Sequence, residues 1–177
     1  RILWTFASAY RLTGRSEYLD TAMSARDQIL GPFRDVEYGG TFWSVNPDGT
    51  PDDPKKQVYA IAFAIYGLSE LYRACGDALS LETAKELYAA IEQHSFDRVR
   101  NGYMEAYARD WSPLGDMRLS EKDRNDAKTM NTHLHVLEAY TSLYRVWKDS
   151  ALGESLKNLI GLFLDRFIRP SGHLAMF

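Results

Sequence analysis

At 177 residues, with 45% hydrophobic and 25% charged side chains, the sequence has a globular composition and enough length to bury a sizeable core, which excludes a disordered chain. Its net charge of −3, with basic residues set among acids as in Glu82, Lys85 and Glu86, excludes the basic stripe of a nucleic-acid binder. No apolar run approaches the roughly 20 residues of a membrane span, and the single cysteine, Cys75, leaves no internal disulfide and suits a reducing, cytoplasmic setting.

Apolar residues recur at helical spacing through most of the chain. A first helix is expected over residues 1–13, closed by Gly14 as a left-handed cap. Ser16 reads as the cap of a second helix that reaches Leu30 and is stopped by Gly31 and Pro32. Residues 41–50 alternate in polarity before a turn signal, which predicts a short hairpin. A third helix is expected over 56–74, with Ala60, Phe63, Ala64, Gly67, Leu68 and Leu71 among its periodic positions. A fourth starts after Ser80 and runs to His94, a fifth covers 128–147, and a sixth runs from Leu152 to Ile168, ahead of Pro170.

The helices repeat in pairs. Three of them end alike, at Tyr10-Arg11, Tyr72-Arg73 and Tyr144-Arg145, and three glycine turns follow the second members, around Gly39-Gly40, Gly102 and Gly172. Arg11 to Arg73 spans 62 residues, as does Gly40 to Gly102, whereas Arg73 to Arg145 spans 72 and Gly102 to Gly172 spans 70. The extra length falls in the polar segment 108–128. A helix pair cannot bury its apolar face alone, so neighbours must stack, and all the long connections fall at one end of the units. That pattern predicts an all-α toroid of helical hairpins with functional loops at one end, of which three pairs make half. The chain opens at Arg1 and stops at Phe177 without start or cap signals, so the expectation is one partial barrel domain over 1–177, continued at both ends in a longer chain. Its open edge pair is expected to favour self-association.

The residues at 130–140 carry the sharpest chemistry. At 100° per residue Asn131, His135 and Glu138 share one helical face, and His133 points about 200° away from His135. Two histidines so placed cannot chelate one ion, so no metal site is expected. Asn131 and His135 emerge beside the longest polar loop, where an imidazole can exchange a proton with a sugar hydroxyl or a carbon acid. The alternative is that both histidines are hydrogen-bonded core residues. A glycoside hydrolase would need two opposed carboxylates, for which Glu105, Asp110, Asp116, Asp123 and Asp126 are candidates, although acids in a polar loop are ordinarily solvated. Trp43, Tyr59 and Tyr103 are expected to line a pocket at the loop end.

These segments, RILWTF at 1–6, YGGTFW at 38–43, DGTP at 48–51, YAIAFAIY at 59–66, IEQHS at 91–95, LSEKD at 119–123, MNTHLHVLEAYT at 130–141 and LYRVWKD at 143–149, resemble in order the N-acylglucosamine 2-epimerase superfamily, and within it the branch that acts on cellobiose. The resemblance implies an (α/α)6 barrel and inversion at C2 of a reducing sugar through an enediol, without metal or cofactor. The implied substrates are small β-1,4-linked disaccharides such as cellobiose and lactose. It assigns Arg1 to the reducing-end oxygens, Tyr59 and Asn131 to the substrate pocket, and His135 to sugar binding or ring opening. His94 and His133 match structural positions, and His173 matches neither proton-transfer histidine. In the family those two histidines lie C-terminal to anything in this chain, which alone is therefore not expected to turn over. A non-catalytic helical-repeat binding module is the competing reading, and the gathering of His, Arg and aromatic residues at one end counts against it.

Overall fold

Turn residues and side-chain caps divide the chain into three helical hairpins in the computed structural model, which describes residues 1–176. Helices α1 (Ile2–Thr13) and α2 (Ser16–Leu30) form the first, α3 (Val58–Cys75) and α4 (Ala78–His94) the second, and α5 (Met130–Val146) and α6 (Ser150–Leu162) the third. Gly14 closes α1 at φ 71° and Gly76 closes α3 at φ 76°, each returning its N–H to the tyrosine carbonyl four residues back. Asp77, Thr129 and Asp149 cap α4, α5 and α6 by accepting the backbone N–H three residues on; each cap contributes about 1 kcal/mol.

These caps correct several expected boundaries. The fourth helix begins at Ala78 because Asp77, not Ser80, presents the acceptor. The sixth begins at Ser150 and ends in a π-helical turn, Phe163–Phe167, instead of running on to Ile168 as one α-helix. Ser16 caps nothing: it is the first helical residue, and Arg15 fills the cap position without a side-chain hydrogen bond. Lys56 and Gln57 form strand β3, paired with β4 (Ala106–Tyr107), so the third helix starts only at Val58. The expected hairpin is present, with β1 (Ser44–Val45) antiparallel to β2 (Pro51–Asp53).

Helix α3 lies between α1 and α5, and Ile61, Ile65, Leu68 and Leu71 on it are fully buried. The inner layer is thus α1, α3 and α5, and each of α2, α4 and α6 packs outside its own partner. The Tyr-Arg repeat has a packing reason. Arg11 donates to Glu70 Oε1 at 2.7 Å, Ser8 does so at 3.0 Å, and Arg73 lies 3.5 Å from Oε2, so one buried carboxylate gathers the ends of α1 and α3. Such a charge stays buried only when paired. No helix among the described residues is long and apolar enough to cross a membrane.

The glycine turns repeat in three dimensions as well. Each closes an antiparallel bridge at the exit of the outer helix, Arg34 with Thr41, Phe96 with Tyr103 and Ile168 with Leu174. Asp35 and Asp97 occupy the same place in the first two turns, each taking two backbone N–H groups on Oδ1 and a lysine on Oδ2: Lys56 at 2.7 Å and Lys128 at 2.6 Å. Those lysines stand two residues ahead of α3 and of α5, so each turn is clipped to the start of the next inner helix. Gly102 illustrates how tightly the second turn is packed. Its φ is 83°, and a Cβ there would lie 2.7 Å from Nε2 of His133. Gly102→Ala is expected to lower stability by more than about 1 kcal/mol, read as a fall in the urea midpoint; an unchanged midpoint would mean that the turn does not hold His133.

Candidate active site

The 62- and 72-residue spacings put equivalent positions of the three inner helices side by side. Phe63 follows Arg1 by 62 residues and His135 follows Phe63 by 72, and the three are in contact. The Arg1 guanidinium lies 4.7 Å over the Phe63 ring, and the Phe63 and His135 rings are 4.5 Å apart. One turn toward the loops, Tyr59 and Asn131 occupy another pair of equivalent positions. One turn the other way, Trp4 and Tyr66 stack at 5.1 Å, and Glu138 takes the third place.

Arg1, Tyr59 and His135 are brought together directly. Arg1 donates to the Tyr59 hydroxyl at 2.5 Å, and the Tyr59 ring meets the imidazole edge-on at 4.7 Å. Glu138 accepts from Nδ1 of His135 at 2.7 Å. His135 is only 13% exposed and, with Arg1, Trp4 and Tyr66, borders a cavity of about 330 Å³. Asn131 is on the same face of α5 but borders a different cavity, also about 330 Å³, enclosed by Met117, Arg118, Leu119 and Asp126 from the long connection. Trp43 shares a third hollow with Arg1 and Phe63. A cation, a phenol and an imidazole on a mostly aromatic wall can orient hydroxyl groups and move a proton, with the Asn131 amide in the neighbouring cavity.

The other residues singled out in the sequence are held in contacts of their own. Tyr103 does not line a pocket: it is fully buried, and with Tyr140 it donates to Glu92, at 2.7 and 2.8 Å. Burial beside that acid pushes its hydroxyl pKa far up. His133 is locked in the core, with Nδ1 2.6 Å from the Thr129 carbonyl and Nε2 accepting the Tyr103 N–H at 2.9 Å, and burial lowers its pKa. His94 stacks on Trp111 at 4.4 Å, and burial lowers its pKa too. His173 is exposed beside Ser171. Of the five acids, Asp110 is held low by Ser112, Asp116 is brought down to about 2 by Arg118, Asp123 accepts from Ser120, and Asp126 pairs with Arg124. Glu105 alone is pushed up by burial, against hydrogen bonds from Thr132 and Thr129 that hold it beneath the first turn of α5.

Sequence reasoning missed the cluster that braces this site. Lys56 and Asp35 form an ion pair with both side chains fully buried, and Arg109 reaches the same carboxylate at 3.0 Å. Burial would raise the Asp35 carboxyl, but Arg109, Lys56 and the N–H groups of Tyr38 and Glu37 outweigh it and hold it well below the carboxylate range. Burial lowers Lys56 against the pull of Asp35. Two connections meet there, the one before α3 and the one before α5, and Lys56 stands three residues ahead of Tyr59 on the chain. The signal was in the repeat: Asp97 follows Asp35 by 62 residues and Lys128 follows Lys56 by 72.

The family model for N-acylglucosamine 2-epimerase matches residues 1–176. The chain belongs to the N-acylglucosamine 2-epimerase family. Among its relatives, the cellobiose 2-epimerase of Bacteroides fragilis is 56% identical over all of this chain and 45% of its own length. The solved cellobiose 2-epimerase of Bacillus thermoamylovorans superposes with a TM-score of 0.94 at 41% identity, over 99% of this chain and 45% of that one. The chain therefore spans somewhat under half the length of the family members it matches. A family 76 mannosidase of Bacteroides thetaiotaomicron, at 15% identity and a TM-score of 0.75 over 96% of this chain and 44% of its own, shares the fold alone. Three stacked hairpins in this family are a partial (α/α)6 barrel, as the repeats predict.

Proposed function

We propose that this chain supplies the reducing-sugar wall of the active site of an epimerase that inverts C2 of β-1,4-linked disaccharides such as cellobiose and lactose. The observation that carries this reading is the contact of Arg1, Tyr59 and His135 across three inner helices, with Asn131 one turn nearer the loops. The identity to cellobiose 2-epimerases over the whole chain supports the substrate class.

The chemistry begins with ring opening. His135 takes the proton of the anomeric hydroxyl, the C1–O5 bond breaks, and O5 takes a proton from water, leaving an aldehyde at C1. Removal of the C2 proton then gives an enediolate, whose charge falls beside the fixed cation of Arg1. The groups that exchange the C2 proton lie outside this chain, so the 177 residues alone are expected to be inactive.

Incubating the complete gene product with cellobiose in heavy water tests the reading. Deuterium at C2 and a glucosyl-mannose product are expected. Free glucose would point to a hydrolase instead, and no label above background would overturn the proposal.

A further inference from the structure

Glu138 stands where the two preceding repeats place aromatic rings. Trp4 and Tyr66 stack nearly parallel, at 12°, and the third position of that layer holds a half-exposed carboxylate. Its Oε2 is 2.7 Å from His135 Nδ1. A carboxylate can only accept, so Nδ1 carries the hydrogen. The imidazole plane is fixed from elsewhere, by the Tyr59 ring at 90° and the Phe63 ring at 43°. With the ring clamped and Nδ1 engaged, Nε2 is the nitrogen left for a ligand, and among the described residues it has no hydrogen-bond partner.

We propose that Glu138 is a positioning residue that holds His135 in the Nδ1–H tautomer and so presents Nε2 as the base for the anomeric hydroxyl. This rests on the ring-opening role given to His135 above. In that step the O1–H bond breaks and the proton bonds to Nε2. The O1 electron pair becomes the C1 carbonyl bond as the C1–O5 pair passes to O5, which takes a proton from water. The imidazolium that results faces the Glu138 carboxylate at hydrogen-bond distance, so the charge formed on the ring is met where it appears.

Histidine-labelled nitrogen NMR on the complete gene product, recorded above pH 8, reads the tautomer directly, with the His135 signals identified by their loss in His135→Ala. The Nδ1–H form is expected in the wild type and in Glu138→Gln, whose amide oxygen still accepts, and a shift toward Nε2–H in Glu138→Ala. For cellobiose, kcat of Glu138→Ala should fall on the order of tenfold with KM little changed, part of the roughly 10²–10⁴-fold that a placed acid–base group supplies, and Glu138→Gln should recover most of it. A tautomer unmoved in Glu138→Ala, or one that moves while kcat holds, overturns the proposal. Failure of the ring-opening reading has a different signature: His135→Ala would stay active whatever the tautomer does.

Discussion

Lys56→Met is expected to be among the most destabilising single substitutions in the chain, costing about 3–5 kcal/mol, because it strands a buried carboxylate. Asp35 has no exposed surface through which water could replace the lost ammonium, and Arg109, 41% exposed, is left as its remaining cation. Lys56→Met with Asp35→Leu removes both charges and is expected to recover much of the loss, since a buried pair and a packed apolar pair differ little in net stability. Urea unfolding of the single and double variants measures this directly. Equal midpoints for Lys56→Met and the wild type would show that the pair does not brace the loops. The pH dependence follows from the same cluster. A carboxyl whose folded pKa is depressed contributes stability that is fully present above its unfolded pKa near 4 and is lost as pH falls toward the lower folded value. The wild type should therefore lose stability below about pH 4, and the double variant should lose less of it.

The hairpin architecture was legible in the sequence because it is written twice over, in helical periodicity and in repeats of 62 and about 70 residues. Periodicity resolves the middle of a helix but not its ends. Asp77, Thr129 and Asp149 decide where α4, α5 and α6 begin, and each is an ordinary polar residue until its acceptor meets a free N–H. The site was legible in part. Placing Asn131, His135 and Glu138 on one face needed only the helical angle, and it separated His135 at the cavity from His133 in the core. Tyr103 was misjudged because a tyrosine beside a glycine turn reads the same whether its hydroxyl meets substrate or, as here, Glu92. The Lys56–Asp35 pair stayed hidden because its members are 21 residues apart in unlike segments, and only comparison of the repeats aligns them with Lys128 and Asp97.

His135→Ala in the complete gene product should reduce kcat/KM for cellobiose by about 10²–10⁴-fold, the range for a positioned proton-transfer group, while leaving the helical circular dichroism intact. The fold has little need of this side chain. It packs on Tyr59 and Phe63 at the wall of a cavity, whereas the core along α5 is built from Val136, Ala139, Tyr140 and Leu143, which are fully buried. His133 provides the contrast. Its imidazole joins the Thr129 carbonyl to the Tyr103 N–H, so His133→Ala should lower the unfolding midpoint, and any activity it loses should track the folded fraction. Two histidines two residues apart thus separate by assay, one by rate and the other by stability. Near-normal turnover in His135→Ala would reduce that residue to scaffold. The reducing-sugar contacts would then rest on Arg1, Tyr59 and Asn131, and ring opening would need a base from outside this chain.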